Sequence, residues 1–535
     1  MADDTESAAG LAVRGAGSVP GAAATRRQLT DHSVAGLLAE KDPTLWGPAA
    51  EAEAEIRLGW VDTFRRSRDL LPRLAELKAE LAGLNLDHVV LAGMGGSSLA
   101  PEVISRTLGV PLTVLDTTDP HQVRAALADR LDRTIVVLAS KSGSTVETDA
   151  HRRVYWQAFV DAGIEPAKRF VVVTDPGSPL AKIARDEGMH LVLADADVGG
   201  RYSALTAFGL VPAALAGVNV EELLDQAGEF ALSLGRDEGA NPALALGSAL
   251  GAAWSAGRDT MALADDGTGI TGLGDWIEQL VAESTGKDGK GILPVVVENP
   301  SAPGVTGDGV LTITYGGALA PGEVPGHGVV PDVAVNGPLG AQFLAWEAAT
   351  ALAGRVLGIN PFDQPNVTES KDNTNKILGS GLTPTAPSFV EGAIEGHGDG
   401  TAVAEALAAL VADAGYVAVM AYLDRFGDAA LAQLRPTLAR ATGRPVTFGW
   451  GPRFLHSTGQ YHKGGPQVGA FLQITGAVTD DLPVPGKPYT FAELQAAQAG
   501  GDRVALATRS QPLLWLHLTD RAAGIAQLLA AARKL

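Results

Sequence analysis

Two stretches decide the fold: His88-Val-Val-Leu-Ala-Gly-Met-Gly-Gly-Ser-Ser98 and Thr134-Ile-Val-Val-Leu-Ala-Ser-Lys-Ser-Gly-Ser-Thr145. Each begins with a short apolar run rich in β-branched residues, which is typical of a buried parallel strand. Each run ends in small residues whose hydroxyls lie where a helix N-cap belongs. The two stretches therefore predict consecutive strand–turn–helix units of one parallel sheet.

Both turns are predicted to bind an anion. Free backbone N–H groups, the positive end of a helix dipole and several hydroxyls converge at such a turn, and a phosphate monoester is its commonest occupant. Between Ser140 and Thr145 the second turn adds further hydroxyls and a lysine, which suits a compact dianion. Ordinary helix caps would also explain the hydroxyls, but two such turns in succession favour a phosphate site.

A dinucleotide site is the alternative interpretation of the first turn. Gly93, Gly95 and Asp116 match the spacing of a dinucleotide-binding fingerprint, and an NAD-dependent enzyme would use them. Ser98 stands where the third glycine is required, and no Walker A sequence follows. The pattern therefore favours a compact phosphate ester over a dinucleotide.

The segments GMGGSSLAPEV and SKSGSTVET resemble the phosphate-binding loops of the sugar isomerase (SIS) fold, and within it those of the phosphoglucose isomerases. The resemblance implies that both loops hold the substrate phosphate. The matching residues here are Gly96, Ser97, Ser140, Lys141, Ser142 and Thr145. The loops alone do not separate an isomerase from a non-catalytic module that senses sugar phosphates.

Composition narrows the class of protein. Of the 535 residues, 46% are hydrophobic and 19% are charged, as expected of a well-buried globular chain with several structural units. The formal net charge of −20 argues against nucleic acid or an anionic membrane as a general partner. Without cysteine there are no disulfides or thiolate sites. No signal peptide or membrane-length apolar run is evident, so a cytoplasmic protein is expected.

The order of patterns predicts an α/β fold. Two doubly wound parallel-sheet SIS domains are expected, with helical N- and C-terminal additions. Residues 1–45 are predicted to form an N-terminal arm, loose over residues 1–26, and the start of a helical region. Residues 46–240 would form the first SIS domain, which carries the phosphate loops. Residues 241–380 would form the second SIS domain, which carries the base and lysine motifs. Residues 381–535 would form a C-terminal α/β segment that packs on or completes the second domain.

The segment Gly199-Gly-Arg201-Tyr-Ser resembles the GGRYS motif of the same family. A lone arginine is usually a solvated surface residue, but the two glycines before this one let the backbone approach a ligand closely. The resemblance implies that Arg201 lies beside the reacting carbons and stabilises an enediolate. A guanidinium remains cationic throughout such a reaction.

The segment Gln279-Leu-Val-Ala-Glu283-Ser-Thr-Gly-Lys287 is similar to the family's Q-x-x-x-E-S-x-G-K pattern. Gln279 and Glu283 are four residues apart and so share one face of a helix. By itself Glu283 would be a surface glutamate near a helix end. The resemblance implies that it is the general base, and a carboxylate held against the substrate can abstract a proton next to a carbonyl.

The segment Asn360-Pro-Phe-Asp-Gln-Pro-Asn-Val-Thr-Glu-Ser-Lys371 resembles the family's NPFDQPxVxxxK motif. Its prolines would begin a helix that carries Lys371. An isolated lysine usually faces solvent, but the resemblance implies that Lys371 contacts the sugar ring oxygen during ring opening.

The ring-opening histidine departs from the family's usual order, in which it precedes the lysine motif. His327 is the only histidine in that interval, within a Pro/Gly segment that matches no motif. Further on, the segment His456-Ser-Thr-Gly-Gln-Tyr-His462 resembles the family's NGQH motif with one residue inserted. His462 is therefore preferred and His456 is the second choice, because histidine can exchange a proton near neutral pH. Either could instead be a structural histidine.

Together the resemblances imply a phosphoglucose isomerase that interconverts glucose 6-phosphate and fructose 6-phosphate through a cis-enediolate. Glu283, His462, Lys371 and Arg201 would be catalytic. No cofactor and no metal are implied. A homodimer is expected because the family is usually dimeric. Two alternatives stay open: an isomerase that also accepts mannose 6-phosphate, and the sensing module.

Overall fold

The computed structural model describes residues 4–319, 330–381 and 385–535, and only the backbone of residues 367 and 368. These residues form three β-sheets flanked by helices, and strands and helices are numbered in chain order. His327 lies outside the described residues.

The first sheet is wholly parallel and carries both predicted phosphate loops. Its strands are β3 (His88–Gly93), β4 (Thr113–Leu115), β5 (Thr134–Ala139), β6 (Phe170–Thr174) and β7 (His190–Leu193), in the order β4-β3-β5-β6-β7. Alternate side chains of β3 enter two different cores: Val89 and Leu91 pack into one, Val90 and Ala92 into the other. Both faces are therefore covered, which confirms the predicted α/β class with a doubly wound parallel sheet.

The second sheet includes an N-terminal hairpin that was not predicted. Its strands are β1 (Thr5–Ala8), β2 (Leu11–Arg14), β8 (Thr260–Asp265), β9 (Leu293–Val297), β10 (Val310–Gly316) and β11 (Val333–Asn336), in the order β1-β2-β11-β10-β8-β9. The expectation of a loose arm is wrong for residues 5–14. Leu11 and Val13 are buried there, and β2 pairs antiparallel with β11. Two apolar residues in alternation were too short a pattern to predict this pairing.

The C-terminal block forms a third sheet of its own. Its strands are β12 (Phe389–Glu391), β13 (Ile394–His397), β14 (Tyr416–Tyr422), β15 (Val446–Trp450), β16 (Gly469–Gly476) and β17 (Leu513–Leu518). The order is β12-β13-β17-β16-β14-β15, and β14 to β17 are parallel. These strands do not add to the second sheet. The domain boundaries themselves remain a prediction.

The helices cover the sheets on both sides. They are α1 (Ala22–Asp31), α2 (Val34–Ala39), α3 (Pro48–Glu55), α4 (Thr63–Arg66), α5 (Leu71–Gly83), α6 (Leu99–Thr107), α7 (Pro120–Ala128), α8 (Val146–Asp161), α9 (Pro179–Glu187), α10 (Ala207–Ala216), α11 (Val220–Leu234), α12 (Pro242–Ser255), α13 (Leu273–Thr285), α14 (Leu339–Leu357), α15 (Val367–Ser380), α16 (Val403–Val411), α17 (Leu434–Thr442), α18 (Gly459–Gly464), α19 (Phe491–Ala507) and α20 (Arg521–Ala532). Within the described ranges, none has the length and apolar character needed to cross a bilayer.

The three sheets are connected by hydrophobic cores, each of which contains side chains from two sheets. Side chains of β3 and β8 lie in one common core, as Leu91 and Leu263 show. A second core contains Ala262 of β8 together with Ala418 of β14, so the third sheet packs against the second. This stacking brings the third sheet and its loops against the loops of the first two.

Candidate active site

The first loop is packed so closely that only glycine fits. Gly95 has φ +55°, and a Cβ there would lie 2.8 Å from Gln279 Nε2. A Cβ on Gly96 would lie 1.9 Å from the carbonyl oxygen of Gly200. The loop is thereby pressed against the segment that carries Arg201. Gly96 and Ser97 do not line the cavity described next.

The second loop opens onto a cavity at the N-terminus of α8. The hydroxyls of Ser142 and Ser144 are 3.0 Å apart, and Thr145 hydrogen-bonds to Ser140 at 2.8 Å. Thr145 is the N-cap residue of α8, but its side chain accepts no capping hydrogen bond. Ser142, Ser144 and Thr145 line the cavity, whereas Ser140 supports the loop from behind. The free N–H groups and hydroxyls suit a phosphate dianion.

Lys141 does not reach this cavity. Its Nζ lies 2.6 Å from Asp175 Oδ2 and 3.3 Å from the carbonyl oxygen of Asp195, on the far side of the loop. The predicted role of Lys141 as a phosphate ligand is therefore not supported by its placement. Two lysines line the cavity. Lys371 is exposed on α15, whereas Lys463 is buried with its Nζ 2.7 Å from Asp502 Oδ1.

His456 is the histidine of the cavity. Its Nε2 donates to Glu147 Oε1 at 3.2 Å, and Gln498 Nε2 donates to the same oxygen at 2.7 Å. Burial by itself raises the pKa of Glu147, but the hydrogen bond from His456 and the charge of His456, with a smaller contribution from the charge of Lys371, outweigh it. The pKa of Glu147 therefore lies below its ordinary value. An ionised carboxylate thus orients the imidazole beside Lys371.

His462 does not line this cavity, so its placement does not support the preference for it. It is 2% exposed, and neither ring nitrogen has a hydrogen-bond partner. Its ring lies 5.1 Å from that of Phe471 and 6.3 Å from that of Phe454. Burial first, and the charge of Lys463 second, lower its pKa to about 3. The side chain of His462 therefore packs in an aromatic core, as a structural histidine would.

Glu283 and Gln279 adjoin the cavity at the end of α13. Gln279 Nε2 donates to Glu283 Oε2 at 3.0 Å and to the carbonyl oxygen of His456 at 2.8 Å. One amide therefore links the predicted base to the histidine segment. Both side chains are buried and lie beside the cavity wall rather than in it.

Arg201 is buried beside Glu283, with its Nη1 3.7 Å from Glu283 Oε1. Its Nη1 also donates to Gln364 Oε1 at 2.6 Å, and its Nη2 donates to the carbonyl oxygen of Pro361 at 2.7 Å. Its Nε donates to Ser284 Oγ at 2.8 Å. The GGRYS, glutamate and NPFDQP segments thus meet at one cation.

Lys287 stabilises the same junction of segments. Its Nζ donates to the carbonyl oxygen of Asn360 at 2.6 Å and to Asp363 Oδ1 at 2.7 Å. Burial, followed by the charge of Arg201, lowers the pKa of Lys287 to about 8. This lysine positions the turn that precedes Lys371.

The Asp116 carboxylate is not accessible to a dinucleotide. It is 2% exposed, and its Oδ2 accepts a hydrogen bond from Ser98 and lies 3.0 Å from Arg453 Nη1 of the C-terminal block. A ribose would have to displace this buried arginine, so the structure argues against the dinucleotide alternative.

Sequence reasoning missed three residues of this site. Ser144 was counted among the loop hydroxyls but not assigned to the site. Glu147 lies in the first helical turn, where an acidic residue reads as an ordinary partner of the helix dipole. Gln498 lies on α19 and carries no motif.

The helix-covered parallel sheets define a protein of the SIS-type α/β class. Two solved structures have this fold. One is a glucose-6-phosphate isomerase from Chlamydia trachomatis, with TM-score 0.55 and 19% identity over 71% of this chain and 90% of that one. The other is a hypothetical protein from Thermus thermophilus, with TM-score 0.54 and 24% identity over 67% of this chain and 98% of that one.

Sequence comparison narrows the class to a family. A phosphoglucose isomerase family model matches residues 73–304. A glucose-6-phosphate isomerase from Symbiobacterium thermophilum is 30% identical over 389 positions, which cover 60% of this chain and 86% of that protein. A probable glucose-6-phosphate isomerase from Haloarcula marismortui is 35% identical, but the match covers only 39% of this chain and 49% of that protein. The chain belongs to the phosphoglucose isomerase family.

The burial of His462 predicts a specific pH dependence of stability. The unfolded chain protonates this histidine below about pH 6.5, whereas the folded chain keeps it neutral down to about pH 3. Unfolding therefore becomes more favourable as the pH falls through that window. We expect His462→Phe to remove about 2 kcal/mol of the stability lost between pH 7 and pH 5. Urea unfolding at both pH values measures this difference.

The matched control is His32→Phe, because His32 is exposed. That variant is expected to keep the pH dependence of the parent protein. An unchanged pH dependence in His462→Phe would contradict the placement of His462.

Proposed function

We propose that this chain is a glucose-6-phosphate isomerase that interconverts glucose 6-phosphate and fructose 6-phosphate. The observation that carries the proposal is the position of His456. It lies in one cavity with the loop hydroxyls and Lys371, and its carbonyl oxygen is linked through Gln279 to Glu283. Family membership and the names of the relatives support the same activity.

The phosphate is held by Ser142, Ser144 and Thr145 at the N-terminus of α8. Their hydroxyls and the free N–H groups of the first turn bind the dianion, and the positive end of the helix dipole adds to the attraction. Lys141 is paired with Asp175 and is not part of this phosphate site.

Ring opening is assigned to His456 with Lys371. The imidazole transfers the proton between the ring oxygen and the anomeric hydroxyl, and Glu147 stabilises its charged form. Because Glu147 is buried and its pKa lies below the ordinary value, this support persists across the neutral pH range.

Proton transfer between C2 and C1 is assigned to Glu283. The carboxylate removes the proton from one carbon of the open-chain sugar and returns it to the other through a cis-enediolate. Arg201 is held 3.7 Å from Glu283 and stabilises the developing negative charge. Since Arg201 already has several acceptors, its position is fixed before substrate binds.

The homodimer that is usual in the family is retained as a proposal, with the histidine of each site supplied by the same chain as Glu283. Glu147 and Gln279 of that chain each contact His456. We further propose a cytoplasmic enzyme of glycolysis and gluconeogenesis.

The activity is tested by a coupled assay that starts from fructose 6-phosphate and follows glucose 6-phosphate, with a chelator present. Turnover that survives chelation is the expected result. A protein that binds fructose 6-phosphate without converting it would instead be a sensing module.

Replacement of the base is the first prediction for this enzyme. Glu283→Gln should lower kcat by a factor of about 10² to 10⁴, because the amide cannot accept the substrate proton. Binding of fructose 6-phosphate, followed by thermal shift, should persist, since the phosphate loops are unchanged. Glu229→Gln, an exposed site on α11, is the control. Near-normal turnover in Glu283→Gln would rule out the base assignment.

The two histidines are separated by a matched pair of variants. His456→Phe should lower kcat by about 10²-fold or more, because phenylalanine cannot transfer the proton between the sugar ring oxygen and the anomeric hydroxyl. His462→Phe should keep kcat within a few-fold of the parent value, because its ring packs only against aromatic side chains. The reverse ranking of the two variants would reinstate His462.

Mixing two inactive variants tests whether one chain completes the site. Equimolar His456→Phe and Glu283→Gln are unfolded and refolded together, then assayed. No recovery is expected, since His456 and Glu283 act within the same chain. Recovery of a substantial fraction of parent activity would mean that a partner subunit supplies the histidine.

A further inference from the structure

A second cavity lies in the C-terminal block, apart from the candidate active site. It has a volume of about 250 Å³ and is bounded by α19 and by the carboxyl ends of β16 and β17. The polar and aromatic side chains that matter in its wall are Thr475, Gln495, Arg503, Trp515 and His517. None of them lines the active-site cavity. The carboxyl edge of a parallel sheet is where ligands of α/β proteins usually bind.

The guanidinium of Arg503 is a cation held in place in the wall of this second cavity. The guanidinium carbon of Arg503 lies 3.9 Å from the ring centre of Trp515, and Arg503 Nη1 donates to Gln473 Oε1. The ring of His397 stacks on Trp515 at 3.8 Å. Arg503 is therefore oriented by packing, and its Nε and Nη2 donors have no protein acceptor among the described residues.

Gln495 supplies an unused donor. The residue is 5% exposed, and its Nε2 is buried without any hydrogen-bond partner. A buried donor left unsatisfied costs free energy that an ordered ligand would return. Because Gln495 lines the cavity, a ligand there is the available acceptor.

His517 presents a further donor. Trp515 Nε1 donates to Thr475 Oγ1 at 2.8 Å, and Thr475 Oγ1 lies 2.9 Å from His517 Nδ1. The Thr475 hydroxyl accepts from the indole and can donate its own proton to His517 Nδ1. The second nitrogen of His517, Nε2, then carries the hydrogen.

The described wall of the cavity contains no carboxylate. Glu395 faces His517 in register from β13, but it is not part of the wall. In a chain of net charge −20, a cavity whose polar groups are a guanidinium and unused N–H donors is selective for negative charge.

We propose that this cavity binds a small oxyanion, namely inorganic phosphate or the phosphate group of a monoester, through Arg503, Gln495 and His517. The site is distinct from the catalytic phosphate loops. It does not depend on the isomerase assignment.

Equilibrium dialysis with radiolabelled inorganic phosphate tests the proposal on the full chain. Active-site binding is removed in a Ser142→Ala/Thr145→Val background, in which one phosphate per chain is expected to remain. Gln495→Leu in that background should weaken the remaining binding about tenfold, the loss of one charge-assisted hydrogen bond. Its melting temperature should not fall, because the amide donor that is removed has no partner.

Arg503→Gln should weaken phosphate binding by at least as much, and Arg533→Gln, an exposed arginine on the C-terminal side, is the control with unchanged binding. No bound phosphate in the Ser142→Ala/Thr145→Val background, or unchanged binding in Gln495→Leu, would overturn the proposal. Displacement of the label by glucose 6-phosphate at lower concentrations than by unlabelled phosphate would identify a monoester as the ligand. The reverse ranking would identify free phosphate. Loss of isomerase activity alone would not affect either result.

Discussion

The buried guanidinium of Arg201 is the constraint on which the candidate site depends. A guanidinium cannot lose its proton, so burying it is tolerable only if its donors meet acceptors. Here the acceptors come from the end of α13 and from the turn at 361–364. Three segments that are far apart in sequence must therefore meet at one point, and Glu283 is placed beside the cation as a consequence. Lys287 binds the same turn and reinforces the junction.

The C-terminal block, which contains the third sheet, contributes residues to the candidate site that the first two sheets begin to form. Gly95, with no side chain of its own, leaves room for Gln279 and for the carbonyl of His456. The resulting link brings the C-terminal block over the phosphate loop, and α19 supplies Gln498 to hold Glu147. A site assembled this way is rigid where the base and the cation lie. It is open where Lys371 is exposed.

Particular residues show which features of the fold and site could be predicted from sequence patterns and which could not. The strands of the first sheet and the helix with Gln279 and Glu283 follow from local patterns and motifs. Lys141 and His462 do not line the cavity, because a motif specifies residue type and spacing but not the rotation of a side chain. Lys141 pairs with Asp175, and His462 packs in an aromatic core. The N-terminal hairpin was missed because its pairing partner, β11, is more than 300 residues away.

The sequence alone determined the fold class, the strand–turn–helix loops of the first sheet and the residue types available for acid–base chemistry. Strand periodicity, turn residues and helix spacing are local properties, so they can be read without knowing the rest of the chain. Only the tertiary structure decided that His456 and Lys371 line the cavity at the second loop, and that Glu147 and Gln498 support the histidine. Those choices depend on the packing of three sheets, in which contacts between segments distant in sequence fix each side chain's partners.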